Sequence, residues 1–224
     1  MIDKSAYTSI LDELGPGVQL VAVSKTKPVE DIMALYDLGQ RDFGENYVQE
    51  LVDKQAQLPA DIRWHFIGHL QSNKVKYIAA FVHLIHGVDS LRLLKEIHKQ
   101  AARHHRTIPC LLQVHIAREE TKFGLDAAEL EEVLQAVRTT PQEFTHIRIR
   151  GLMGMASFTE DESKLQEEFK GLKALFDRHF GAAQSSPNQL FLLSMGMSGD
   201  YRIAIREGSN MVRIGSLLFG KRTG

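Results

Sequence analysis

The sequence predicts a (β/α)8 barrel. Two observations carry this. Short apolar runs alternate along the chain with longer segments in which apolar residues recur every three to four positions, and the apolar runs number eight. The length of 224 residues sits at the small end of that fold's range, so the loops are short and one domain is expected over residues 1–224. The same alternation also permits an open doubly wound sheet. The count of eight favours the barrel.

The strand-like runs in order are "VQLVAVSK", "RDFGEN", "RWHFIGH", "VHLIHGV", "IPCLLQVHI", "HIRIRGLMGM", "LFLLSMG" and "MVRIGSLLFG". A leading segment, "YTSILDELG", is expected as an extra helix before the first strand. "VEDIMALYDLG" places Ile32, Leu35, Tyr36 and Leu38 near one helical face, and "SLRLLKEIHKQAARHH" does so for Leu91, Leu94, Ile97 and His98. Pro28 suits the first turn of a helix, where its missing N–H has no partner to lose, and Glu30 and Asp31 suit the positive end of the helix dipole. "DAAELEEVLQAV" and "ESKLQEEFKGLKALFDRHF" continue the period, and the acidic start of the latter reads as a solvated helix face. The small and polar residues 181–189 read as a loop.

Composition excludes several classes of function. Hydrophobic residues make up 43% and charged residues 25%, an ordinary globular balance. A formal net charge of -1 gives no general attraction to nucleic acid or to an anionic membrane. No apolar run is long enough to span a bilayer, and "MIDKSAYTSI" has no apolar core of the signal-peptide kind, so a cytoplasmic location is expected. The one cysteine, Cys110, reads as a small buried residue in a strand. No metal site is expected. His83 and His86, three apart in a strand candidate, point to opposite faces. His104 and His105 end a helix, where the dipole favours them, and the methionines of "LMGM" and "SMGM" read as barrel lining.

In this fold function gathers at the C-terminal ends of the strands. The first strand ends on Lys25, the second on Gly44, Glu45 and Asn46, and the third leads to His69, Gln71 and Asn73. A lysine at a barrel mouth, partly desolvated, is a nucleophile that forms an imine with an aldehyde, although most lysines at helix starts are simply solvated, the reading that suits Lys27. At the end of strand eight, Gly215 and Ser216 offer backbone N–H groups and a hydroxyl to a phosphate. "SMGMSGD" adds Ser194 as a donor and Ser198 or Asp200 as the cap of a helix whose N-terminus favours anions. An imine-forming lysine and a phosphate cup suit an aldolase acting on a sugar phosphate, or pyridoxal 5'-phosphate, which is an aldehyde and a phosphate ester in one molecule. Arg213, two residues before the phosphate glycine, could face a pyridine nitrogen; a surface or salt-bridge arginine is the plainer alternative.

The segments "AVSKTKP", "FGENYVQE", "WHFIGHLQSNK", "GLMGMAS" and "SMGMSGDYRIAIREGSNMVRIGSLLFG" together resemble the pyridoxal phosphate homeostasis protein family, also called YggS or PROSC-like, in order and over nearly the whole chain. The resemblance implies a barrel like the N-terminal domain of alanine racemase. It implies pyridoxal 5'-phosphate held as an internal aldimine on Lys25, Arg213 facing the pyridine nitrogen, Ser194, Gly215 and Ser216 on the phosphate, and Asn46 lining the pocket. The family often has threonine where Ser216 stands, and the hydroxyl is kept. The resemblance further implies a monomeric carrier that regulates the cofactor pool without robust catalysis and meets apo-enzymes transiently. A racemase needs two acid–base groups, one on each face of its substrate, and the second has no obvious source in this sequence. A racemase-like enzyme using the same cofactor is the alternative. Lys122, in "ETKFG", is a candidate for a second, weaker aldehyde site on the rim.

Overall fold

The eight apolar runs become eight parallel strands. A computed structural model of the chain describes residues 2–117, 123–181 and 190–220. The strands are β1 Gln19–Val23, β2 Asp42–Glu45, β3 Arg63–Phe66, β4 Leu84–Val88, β5 Ile108–Val114, β6 Ile147–Gly154, β7 Leu192–Met197 and β8 Met211–Ile214. Each pairs with its neighbours in sequence, and β8 pairs back onto β1 with Gln19 opposite Met211 and Val21 opposite Arg213, closing the barrel.

The helices are α1 Lys4–Leu14, α2 Val29–Tyr36, α3 Val48–Gln55, α4 Val75–Ile78, α5 Leu91–Arg103, α6 Ala127–Thr139, α7 Glu162–Phe180, α8 Tyr201–Arg206 and α9 Ser216–Phe219. Pro28 takes the N-cap of α2, just ahead of the acidic first turn of Glu30 and Asp31. Asp161 caps α7, accepting from Ser163 and Lys164 N–H, and that helix buries Leu165, Phe169, Leu172 and Phe176 against the sheet. Burying apolar faces of this kind stabilises by roughly 1.5–3 kcal/mol for each large side chain relative to leaving it exposed. Cys110 is fully buried in β5, as expected, and burial pushes its thiol pKa up.

Three expectations change in detail. Leu38 lies beyond the end of α2 and is exposed, because the chain leaves the helix at Tyr36 and turns through Gly39 at φ 103. In α5 the buried face runs through Leu93, Leu94, Ile97 and Ala101, with Leu91 and His98 at its half-buried margins. The last apolar run is not one strand. β8 stops at Ile214, and "SLLF" forms one helical turn whose Leu218 and Phe219 N–H groups both donate to Gly215 O. That turn buries Leu218 and Phe219, and α1 packs beside it.

Strand periodicity divides the core in two. The outward-facing residues pack under the helices. The inward-facing ones include an apolar layer of Val21, Leu84, Leu111, Met153, Leu192 and Met211. A further set of interior positions is polar: His65, His86, Ser194 and Arg213 are all buried. A barrel core filled by side chains is the rule; one crossed by a line of polar groups asks for a reason.

Candidate functional site

At the C-terminal end of the strands a cavity of about 710 Å³ opens. Its walls bring together residues from loops far apart in sequence: Lys25 after β1, Asn46 after β2, Ser198 after β7, and Arg213, Gly215 and Ser216 along and after β8. Val23, Ile67 and Met155 add apolar surface.

The loop after β1 sets the two lysines apart. Lys25 is half-buried and lines the cavity. Lys27 also reaches its edge, but its Nζ donates to Phe219 O at 2.9 Å and Gly220 O at 3.4 Å, so its ammonium caps the end of α9. Between them Thr26 takes a left-handed φ of 62, uncommon for a β-branched residue. Its N–H donates to Glu50 Oε1 at 2.6 Å. Beneath this loop lies a buried charge cluster. Lys54 Nζ donates to Glu45 Oε1 (2.7 Å), Glu50 Oε1 (2.6 Å) and Ser24 O (2.8 Å), and Ser24 Oγ donates to Glu45 Oε1 at 2.6 Å. Burial pushes the Glu45 pKa up despite the Lys54 charge. These groups hold a strained loop in place, and strain of this kind gathers at functional sites.

Asn46 fits a ligand in a particular way. Its Oδ1 is buried and, among the described residues, has no hydrogen-bond partner. A buried acceptor left so costs about 1–3 kcal/mol unless a donor meets it. Across the cavity, Ser198 Oγ accepts from Gly215 N–H at 3.2 Å, which ties the β7 and β8 ends together. A Cβ at Gly215 would stand 3.2 Å from Val23 O, so this position favours a bare backbone. Ser216 begins the turn α9, whose first N–H groups lack partners within the turn itself. Asp200 stands at the N-cap of α8 and accepts from Met197 N–H at 2.6 Å.

Arg213 is 3% exposed, and burial lowers its pKa to about 10. It remains a cation at neutral pH. Its Nη1 donates to Ser194 O (2.8 Å) and Ser194 Oγ (2.7 Å), and its Nη2 to Gly154 O (3.0 Å). Ser194 departs from the expected arrangement. It is fully buried in β7, pairs with Arg213 and His86, and does not line the cavity. His69 pairs with Asp89 and stacks on Phe123, and Gln71 and Asn73 are exposed; none of the three reaches the cavity. Lys122 lies outside the described residues.

Sequence reasoning missed Glu168. This α7 carboxylate is buried and accepts from Ser157 N–H and Oγ, both at 2.6 Å, fixing the loop after β6 on the cavity's edge. In an acidic helix it looks like one more solvated charge. It also missed the interior pair His65 and His86, whose rings approach to 2.9 Å.

Among the described residues no helix is long and apolar enough to cross a membrane. The chain matches the family described as the alanine racemase N-terminal domain over residues 5–223. Curated relatives include a pyridoxal phosphate homeostasis protein of Pasteurella multocida, 39% identical over 92% of this chain and 87% of that protein. One of Schizosaccharomyces pombe is 38% identical over 93% of this chain and 86% of its own length. Among solved structures, PipY of Synechococcus elongatus with pyridoxal phosphate bound superposes with a TM-score of 0.83 at 36% identity, covering 96% of this chain and 99% of that one. An alanine racemase of Bartonella henselae shares the fold at 20% identity, with a TM-score of 0.71 over 98% of this chain and 60% of that one. With a family match over nearly its whole length and curated relatives near 39% identity, the chain belongs to the alanine racemase N-terminal domain family and, within it, to the pyridoxal phosphate homeostasis proteins.

Proposed function

We propose that this chain is a cytoplasmic, monomeric carrier of pyridoxal 5'-phosphate that regulates the cofactor pool and has no robust catalysis of its own. The observation that carries the reading is that Lys25 and Arg213, from opposite ends of the sequence, face one cavity with the glycine-rich ends of β7 and β8 beside them. The names of the relatives and the cofactor-bound PipY structure support it.

The residues present fit that cofactor. The cavity volume falls within the range of cofactor sites, about 300–1,000 Å³. When bound, the cofactor supplies an aldehyde that condenses with a primary amine. Lys25 is the amine that holds it covalently. Lys27 does not compete, because its ammonium is committed to the α9 carbonyls. Arg213 presents a cation toward the pyridine nitrogen and keeps that nitrogen unprotonated. Ser198, Gly215 and Ser216 take the phosphate end, and Ser194 acts through Arg213. Asn46 supplies the acceptor that its unpartnered Oδ1 leaves ready.

Arg213 bears on the choice between carrier and racemase. An unprotonated ring is a poorer electron sink, and racemisation also needs acid–base groups on both faces of the substrate. Besides Lys25, the described residues that line the cavity include Lys27, bound to the α9 carbonyls, and Asp200, bound to Met197 N–H, but no tyrosine, histidine or cysteine. Phe158 and Met197, exposed at the mouth, offer an apolar lip where an apo-enzyme would meet the loaded site.

Transfer is the test. Loaded protein, freed of unbound cofactor, is mixed with an apo pyridoxal phosphate enzyme, and recovery of that enzyme's activity is followed. Recovery, together with no measurable racemisation of free alanine, serine or other amino acids by the loaded protein alone, is the expected result. Robust racemisation would replace the carrier reading with that of an enzyme.

A further inference from the structure

A line of buried hydrogen bonds crosses the barrel interior from its N-terminal end to Arg213. At the N-terminal end, Arg63 Nε and Nη2 donate to Asp42 Oδ1 (2.8 Å) and Oδ2 (2.6 Å). His65 Nε2 lies 2.9 Å from Asp42 Oδ1. His65 Nδ1 lies 2.9 Å from His86 Nε2, and His86 Nδ1 lies 3.1 Å from Ser194 Oγ. Ser194 Oγ accepts from Arg213 Nη1 at 2.7 Å. His65, His86 and Ser194 are fully buried, and Asp42 and Arg213 nearly so. Five strands contribute one member each: β2 gives Asp42, β3 His65, β4 His86, β7 Ser194 and β8 Arg213.

The chemistry of the ends, together with a neutral His65, fixes the direction of every link. An ionised carboxylate only accepts, and a guanidinium only donates. Burial opposes the charge of Asp42, but the Arg63 and His65 hydrogen bonds outweigh it and hold its carboxyl well below the usual range. His65 Nε2 therefore carries the proton shared with Asp42. If His65 is neutral, its bare Nδ1 accepts from His86 Nε2–H. The bare Nδ1 of His86 then accepts the Ser194 hydroxyl proton, and Ser194 Oγ accepts from Arg213. Every donor in the line is used. If His65 carried a second proton, the links to His86 and Ser194 would reverse. The Ser194 hydroxyl would then accept from both sides, and its own proton would lose His86 as acceptor, an unfavourable outcome for a buried group.

We propose that His65 and His86 are positioning residues, which hold the Arg213 guanidinium in register with the cofactor pocket by anchoring it, through Ser194, to the charge of Asp42 at the far end of the barrel. This rests on the reading that pyridoxal 5'-phosphate sits against Arg213. A chain with an ion at each end polarises every link in one sense, and orients a guanidinium more firmly than an isolated serine does. The line spans the barrel's interior, so substitutions at the closed N-terminal end are expected to be felt at the open one. The same corner brings ligand atoms of Asp42, His65 and His83 within 4.8 Å of one another. Arg63 already occupies both Asp42 oxygens, and its charge opposes a metal cation there.

Two measurements test this, one without the cofactor. In ¹⁵N-histidine-labelled protein, ring-nitrogen NMR is expected to show His65 and His86 neutral, each with a protonated Nε2 and a bare Nδ1; the variants H65Q and H86Q assign the signals. A protonated Nδ1 in either ring breaks the line and overturns the proposal. In loaded protein, the rate of cofactor release into excess apo-enzyme is measured for wild type, H86L, H86Q and D42N. H86L is expected to release about tenfold faster, the scale of one misaligned hydrogen bond to a charged group. H86Q keeps a donor and an acceptor and is expected to recover most of that loss, and D42N to fall between. Thermal unfolding of each variant is followed alongside. Release at the wild-type rate from loaded H86L and D42N would overturn the proposal while leaving cofactor binding intact. A wild-type protein that takes up no cofactor would instead overturn the carrier reading, and the NMR result would still report on the line itself. If H86L does not fold, D42N and H86Q carry the comparison.

Discussion

Lys27 Nζ donates to the carbonyl oxygen of Phe219 at 2.9 Å, and so ties the loop after β1 to the helical turn after β8. The loop carries Lys25 and the turn begins at Ser216. The two ends of the site are thus joined by a residue whose ammonium is bound to backbone carbonyls. K27M is expected to cost about 1 kcal/mol of stability. It is also expected to weaken cofactor retention severalfold while leaving Lys25 the attachment point. Urea denaturation and equilibrium dialysis of the loaded protein measure the two effects. Loss of the attachment itself in K27M would mean that the roles of the two lysines have been misread.

The buried cluster under the same loop makes a second prediction. Lys54 is 7% exposed and faces Glu45 and Glu50. Removing the cation leaves a carboxylate pair without its partner, so K54M is expected to destabilise by about 3 kcal/mol or more. E45Q removes a carboxylate that burial already disfavours and is expected to cost clearly less. Chemical denaturation curves decide this; equal costs would contradict the asymmetry.

Thr26 gives a third. Glycine adopts a left-handed φ without strain, so T26G is expected to hold or raise stability by about 1 kcal/mol despite losing a side chain. The same freedom loosens the Lys25 loop, so cofactor uptake by T26G is expected to slow. A thermal melt beside stopped-flow uptake separates the two effects, and a large drop in melting temperature would show that the threonine is not strained.

The fourth concerns pH. His86 is fully buried, and burial holds its pKa well below the ordinary 6.5. Below about pH 6.5 the unfolded chain takes up a proton on this ring that the folded chain refuses. The unfolded state then binds more protons, so stability falls as pH falls, by about 1.4 kcal/mol per pH unit for this one group. Urea denaturation at a series of pH values from neutral to mildly acidic is expected to show the fall, and H86Q to flatten it by one proton's worth. An H86Q slope equal to that of wild type would contradict the assignment.

How much of this was legible in the sequence depends on how local each signal is. The strands were legible because burial on both faces makes each a short apolar run, and Lys25 because it follows the first of them by two residues. "SLLF" misled because an apolar stretch after a strand looks like more strand; only the packing of Leu218 and Phe219 beside α1 shows a turn. Ser194 was legible as a polar residue in the seventh strand but not in its role, since period two says that it faces inward and not what waits there. His65 and His86 lie 21 residues apart, and their contact exists only because β3 and β4 pair with Phe66 opposite Ile85. Lys25, Asn46, Arg213, Gly215 and Ser216 line one cavity because parallel strands bring every C-terminal end to one face, whereas Ser194 is buried beneath it.

The most direct test of the central claim is borohydride reduction of protein loaded with pyridoxal 5'-phosphate, followed by peptide mass mapping. The expected result is a visible absorption band that collapses on reduction, with the pyridoxyl mass on Lys25 and none on Lys27. A protein that takes up the cofactor but carries the mass elsewhere, or one that takes up none, would contradict the account.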